Sequence, residues 1–206
     1  LGRDRHYGFI NYTSALTADR VFFNSQYHKR SFINGLGQFL SEFPDHQNIE
    51  TIDEIANKSE VLELGLDLHK FDKYLDLYQH PTDDIPVLLW NHRWEFDKNP
   101  ESFFNSLIKL KEEGLVFKLV VLGKAYPKQP KIFQKVRSIL FEEIIHWGFV
   151  DSFDDYARWL VRADIVPVTS NQDYFGISVV EAIYCGCIPL LPDRLAYPEH
   201  LSEEGF

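Results

Sequence analysis

An α/β fold with a parallel sheet covered on both faces is predicted by three observations. Past Pro86, short apolar runs alternate with amphipathic stretches of helical period. Those runs are continuously apolar, as strands buried on both faces are. With 206 residues, 45% of them hydrophobic, the chain also has the material for a sizeable core. The length fits one ordinary domain, or one and a half small ones. The pattern implies a Rossmann-like carboxyl-terminal domain preceded by the tail of another.

The elements follow in order. Ala18 to Asn24 reads as a short buried strand. After Ser25, the residues His28, Lys29, Phe32, Ile33 and Leu36 have helical spacing, which Gly35 and Gly37 are expected to break. Residues 41 to 59 are polar and acidic and read as a surface excursion with a short helix around Ile52 to Ala56. Val61 to Leu64 follows as a strand, and Tyr78 to Asp84 combines proline with charge, the composition of a linker. Val87 to Trp90 is a buried strand. Asn99 then caps a helix with Pro100 at its first position and Gly114 just beyond its end. Further strands are expected at Val116–Leu122, Ile144–Trp147, Ile165–Val168 and Ile188–Leu191, with helices at Pro130–Leu140, Phe153–Arg162 and Gly176–Tyr184.

Charge and cysteine content narrow the function classes. A net charge of −10 lacks the basic footprint of a domain that grips nucleic acid by its phosphates alone, although a local basic pocket stays open. No apolar run approaches the roughly 18 residues that span a bilayer. Cys185 and Cys187 are too close for an ordinary structural disulfide and offer at most half of a zinc site. Reduced thiols and the lack of a signal-peptide pattern point to the cytoplasm. With no methionine at all, Leu1 reads as an interior start and the chain as a fragment.

Open parallel sheets bind ligands outside the carboxyl ends of their strands, so three loops carry the candidate chemistry. After Trp90, Arg93 and Lys98 stand five apart before a helix, where a planar guanidinium and a mobile ammonium suit a diphosphate. The plainer alternative is surface pairing of the two cations with Glu95 and Asp97. After Trp147, Gly148 permits close backbone approach to a flat ligand, or is simply a turn residue. His146 reads as a packed or hydrogen-bonded imidazole. The third loop runs from Thr169 into a helix near Gly176, where the amides of Phe175, Gly176 and Ile177 form a phosphate site in principle. Glu181 sits in that otherwise apolar helix, is costly to bury alone, and would find partners in vicinal ribose hydroxyls. The two thiols read as small packed groups.

Taken together, these loops resemble the donor-binding domain of retaining GT-B glycosyltransferases of family 4. The family pattern appears in Arg93 and Lys98, Gly148, Ala163-Asp164, and the acidic pair Asp173 and Glu181 around Phe175-Gly176. Gly65 to Phe71 is similar to the segment joining the two domains. A closer resemblance is to tRNA-queuosine alpha-mannosyltransferases, in the strings Trp90 to Phe104, His146-Trp147-Gly148 and Glu181 to Cys187, and in Asp4 to Ser25 and Phe43 to His46. It implies residues 1–72 as the end of an acceptor-side domain with its interdomain segment, 73–84 as linker, and 85–206 as the donor-nucleotide domain.

The resemblance also implies transfer of mannose from GDP-mannose to queuosine in tRNA, with no metal and no cofactor beyond the nucleotide sugar. Arg93, Lys98 and Asp173 would act in catalysis. Arg93, Lys98, His146, Trp147, Gly148, Phe175, Gly176, Ile177 and Glu181 would bind the donor. Asp173 is one methylene shorter than the family's usual glutamate, so its bond to the donor sugar needs a water or a loop shift. The acceptor-binding part and a catalytic histidine are expected before Leu1. The alternatives are a glycan or lipid acceptor, a nucleotide-sugar epimerase and a non-catalytic nucleotide-binding fragment.

Overall fold

The computed structural model describes residues 5–77 and 85–201, so most of the expected linker, 78–84, lies outside the described residues. The chain divides into two compact units at Gly65 and Leu66.

The first unit contains α1 (Arg5–Thr17), β1 (Val21–Phe23), α2 (Gln26–Ser41), α3 (Thr51–Asn57) and β2 (Ser59–Val61). β1 and β2 pair in parallel over three residues each. Tyr12, Ala15, Leu36, Leu40 and Ile55 form its core. Two sequence expectations are corrected. α2 continues through Gly35 and Gly37 to Ser41, because Leu36 and Leu40 are buried and carry the helical face onward. That packing offsets the roughly 1 kcal/mol each glycine costs in a helix interior. The strand expected at Val61–Leu64 instead ends at Val61, where its pairing with β1 stops, and Leu62 is left exposed.

The second unit is built on β3 (Val87–Asn91), β4 (Lys118–Leu122), β5 (Ile144–Trp147), β6 (Ile165–Pro167) and β7 (Ile188–Leu190). All pair in parallel, in the order β5-β4-β3-β6-β7. The intervening helices are α5 (Pro100–Glu112), α6 (Ile132–Ile139), α7 (Phe153–Arg162) and α8 (Ile177–Tyr184). Central strand β3 is buried throughout. Leu89 faces one core with Val120, Leu160 and Val179, while Leu88 and Trp90 face the other with Phe104, Phe133 and Val136. Hence the continuous apolar runs: successive side chains enter two different cores. Phe71 and Tyr74, the latter in α4 (Asp72–Leu75), are buried in the first of these cores.

Local signals set the boundaries. Asn99 is left-handed (φ 51°) and its side chain accepts from the Ser102 N–H, with Pro100 following, so α5 starts there. The Ser152 hydroxyl accepts from the Asp155 N–H and starts α7. Asp164, of the Ala-Asp pair, accepts from the Val87 N–H at 2.8 Å and its own N–H donates back to the Val87 carbonyl at 2.9 Å. It pins β6 to β3 at their amino ends, opposite the carboxyl ends at which open parallel sheets generally bind ligands.

Candidate functional site

The strand order reverses direction between β3 and β6, since β4 and β5 extend to one side and β7 to the other. The loops leaving β3 and β6 therefore flank a switch-point crevice, the usual ligand position of such sheets. Here the two loops are tied together. The Asn171 N–H donates to the Asp97 carbonyl at 2.7 Å, and the Thr169 hydroxyl lies 3.0 Å from the carbonyls of both Lys98 and Asn99.

Lys98 is the link between them. Its ammonium is buried and reaches the Gln172 carbonyl at 2.9 Å, Asp173 Oδ2 at 3.1 Å and Asp97 at 3.3 Å. Asp173 also accepts from the Phe175 N–H at 3.2 Å and from the Tyr197 hydroxyl at 3.2 Å. Burial pushes the Asp173 carboxyl up, but the Lys98 charge and hydrogen bond with the Phe175 N–H outweigh it, holding the group below its ordinary range. Asp173 is thus an ionised carboxylate with a partner on each oxygen, just before α8.

The second carboxylate of the pair is set differently. Glu181 Oε2 accepts from the Tyr156 hydroxyl at 2.7 Å and Oε1 from the Lys70 ammonium at 3.0 Å. The Asn91 amide donates to the Tyr156 oxygen at 2.9 Å and to the Ser178 carbonyl at 3.0 Å. The expected cost of burying this carboxylate in an apolar helix is therefore offset by protein side chains from β3, α7 and the segment before α4.

The structure brings Lys98, Asp173, Phe175 and Gly176 together at one point. Gly176 is left-handed (φ 89°), and α8 begins there without a side-chain cap. The Phe175 amide is already bonded to Asp173, and Ile177 is exposed. Arg93 does not join this group through a bond. Its guanidinium is 58% exposed and paired with Glu95 at 3.2 Å, as the plainer reading of that loop had it. His146, Trp147 and Gly148 form a third group at the end of β5, with β4 lying between it and β3. The His146 ring is 3.0 Å from the Gly148 carbonyl and packs on Trp159, while Trp147 packs against Trp94. Gly148 has φ 119°, a conformation that favours glycine.

Several residues escape sequence reasoning. Arg194 donates to the carbonyls of Thr169 and Ser170 at 3.0 and 3.1 Å, bracing the loop after β6. His200 bonds the Phe175 carbonyl, and the Cβ of any residue at Gly176 would come within 3.2 Å of Tyr197. His92 is buried against Trp90, and its Nε2 has no partner among the described residues. Burial, aided by the Lys98 charge, lowers it to about 4, so it is neutral. Gly123 lies so close to the His92 carbonyl that a Cβ would sit 2.0 Å from it. Tyr156 was hidden by its place in a regular apolar period. A signal existed only for His92, which lies inside the Trp90 to Phe104 string.

Burial pushes both thiols up to about 12, and Cys187 donates weakly to the Ala163 carbonyl at 3.2 Å. They are packed groups, not nucleophiles. Among the described residues no set of three or more His, Cys, Asp or Glu side chains is placed to hold a metal ion, and no helix is long and apolar enough to cross a membrane.

The parallel sheet with its alternating helices is an α/β architecture of the GT-B type. Residues 78–205 match the family described as glycosyl transferases group 1, and the chain belongs to that family. Residues 2–66 match the amino-terminal domain of tRNA-queuosine alpha-mannosyltransferase. A protein of that description from Drosophila melanogaster is 33% identical over 208 positions, which cover 98% of this chain and 55% of the relative. The chain thus spans about half the length of the curated relative it matches. Many solved structures share the fold, among them the following two. Anabaena HepE, in complex with UDP and glucose, has a TM-score of 0.68 and 16% identity, covering 98% of this chain and 52% of HepE. The sucrose-phosphate synthase of Thermosynechococcus elongatus has a TM-score of 0.64 and 18% identity, covering 91% and 44%.

Proposed function

We propose that this chain carries the nucleotide-sugar half of a retaining mannosyltransferase, acting with GDP-mannose on queuosine in tRNA in the cytoplasm. The observation that supports it most is a single one: 33% identity to a tRNA-queuosine alpha-mannosyltransferase, sustained over 98% of this chain. In this reading Lys98, with Arg93 at the rim, neutralises the diphosphate as charge grows on the leaving group, and the first amides of α8 assist. Stabilising such developing charge is often the largest catalytic contribution. Glu181 holds the ribose, Asp173 orients the sugar, and the backbone at His146 to Gly148 lies along the base. The net charge of −10 makes tRNA attraction a task for basic surface outside this chain.

Two measurements test the reading. Titration calorimetry of this chain with GDP and UDP is expected to show binding with a preference for GDP; no binding of either removes the donor site. A protein of the relatives' full length, incubated with GDP-mannose and queuosine-containing tRNA, is expected to add one hexose to the modified nucleoside. Hexose transfer from UDP-glucose instead would overturn the donor assignment and leave the transferase.

A further inference from the structure

Glu181 is gripped on both oxygens by side chains that the diphosphate contacts do not use. Lys70 bonds Oε1 and Tyr156 bonds Oε2. Because the Asn91 amide donates to the Tyr156 oxygen, the one phenolic proton is directed to Glu181. Burial, and then the Glu181 charge, push the Tyr156 hydroxyl well above its ordinary range, so it remains a donor. Asn91 also holds the Ser178 carbonyl, which stitches the end of β3 to the helix that bears Glu181. Lys70 is steadied in turn, its ammonium 5.0 Å from the ring centroids of both Phe71 and Phe153.

A carboxylate oxygen has about two acceptor sites. With one occupied on each oxygen among the described residues, one remains on each. A vicinal diol presents two donors on adjacent carbons and is the complement of those two acceptors. A carboxylate free to rotate would present this arrangement only part of the time. We propose that Lys70 and Tyr156 are positioning residues that fix the plane of the Glu181 carboxylate, so that its two remaining acceptors select nucleotides carrying both ribose hydroxyls. The inference rests on the donor-site reading above.

The test is titration calorimetry with GDP and with dideoxy-GDP, which lacks both ribose hydroxyls. It compares the unmodified chain with Tyr156→Phe and Lys70→Met. The unmodified chain is expected to prefer GDP by at least about tenfold, a modest value for two hydrogen bonds to a charged group. In Tyr156→Phe the preference is expected to fall to about threefold or less, and in Lys70→Met to narrow, while dideoxy-GDP affinity stays within about twofold. A merely structural effect would weaken both nucleotides together. An unchanged preference in both variants overturns the proposal. Binding of GDP without preference by the unmodified chain overturns it too but leaves the donor site standing, whereas binding of neither nucleotide removes both. Should Tyr156→Phe fail to fold by circular dichroism, Lys70→Met decides, since that side chain is 37% exposed and its loss opens no core.

Discussion

Replacing Lys98 with methionine removes the ammonium that ties the two loops and keeps most of the stem's volume. Its side chain is 10% exposed and that of Asp173 17%, so the pair belongs with buried ion pairs rather than surface ones. Breaking a buried pair costs about 3–5 kcal/mol when the survivor has no other partner. Asp173 keeps the Phe175 N–H and the Tyr197 hydroxyl, so we expect about 2–3 kcal/mol for Lys98→Met. Combined with Asp173→Asn, the loss should fall short of the summed single losses by about 1–2 kcal/mol.

Urea unfolding followed by tryptophan fluorescence is the assay, because Trp90, Trp94, Trp147 and Trp159 all lie in the second unit and report on it alone. The pH dependence adds a second readout. The Asp173 carboxyl is held below its ordinary 3.8, so its stabilisation is present above that pH and is lost as pH falls through the lowered folded value. The gap between the unmodified chain and Lys98→Met should therefore close on strong acidification. Additivity of the two substitutions within about 0.5 kcal/mol would refute the view that this pair holds the loops together.

Four further outcomes are expected. Gly123→Ala should unfold the second unit or cost more than about 3 kcal/mol, because its Cβ would sit 2.0 Å from a backbone carbonyl at φ 102°; a stable variant by thermal melting would contradict the packing. His92 is neutral when folded and takes up a proton near 6.5 when unfolded, so stability should be full above 6.5 and fall by about 3 kcal/mol as pH drops toward 4. His92→Gln should flatten that slope, and a His92 ring titrating near 6.5 by NMR would dispose of it. Arg93→Ala should weaken GDP binding by about 1.5–3 kcal/mol while leaving the melting temperature nearly unchanged, since the guanidinium is exposed and its bond to Glu95 is a surface pair. Asp97→Asn should tighten GDP binding several-fold in low salt by removing a competitor for Lys98; weaker binding by calorimetry would show that Asp97 orients the ammonium instead.

The parts of this molecule legible in the sequence are those written in short-range signals. Asn99-Pro100 marks a helix start because capping is a contact between near neighbours, and α7 spans Phe153–Arg162 as its period predicts. α1 was not read, because only Tyr12 and Ala15 of its thirteen residues are buried and no apolar period results. Gly35 and Gly37 read as breakers, but tertiary burial of Leu36 and Leu40 overrides their weak preference. At the site, the loops were legible from their position after strands, Glu181 from its place in an apolar helix, and Asp173 from the family resemblance. What holds them was not. Lys70 is 111 residues from Glu181, and Tyr197 is 24 from Asp173, separations that no local pattern encodes.

An ammonium has three N–H donors, and in this structure Lys98 has three acceptors: the Gln172 carbonyl, Asp173 and Asp97. A diphosphate reaching Lys98 must therefore displace one of them, and donor binding under the reading proposed above is an exchange of partners rather than a simple addition. Asp97, at 3.3 Å and with the most exposed of the two carboxylate side chains, is the partner most easily surrendered to water. Asp173 is held more firmly. Its Oδ2 is shared by Lys98 and the Tyr197 hydroxyl, while Oδ1 accepts from the Phe175 N–H and keeps one acceptor site. On the same reading the sugar would meet that site while Lys98 stays paired with Asp173, and the ribose would meet Glu181, whose oxygens keep one acceptor each while Lys70 and Tyr156 hold it.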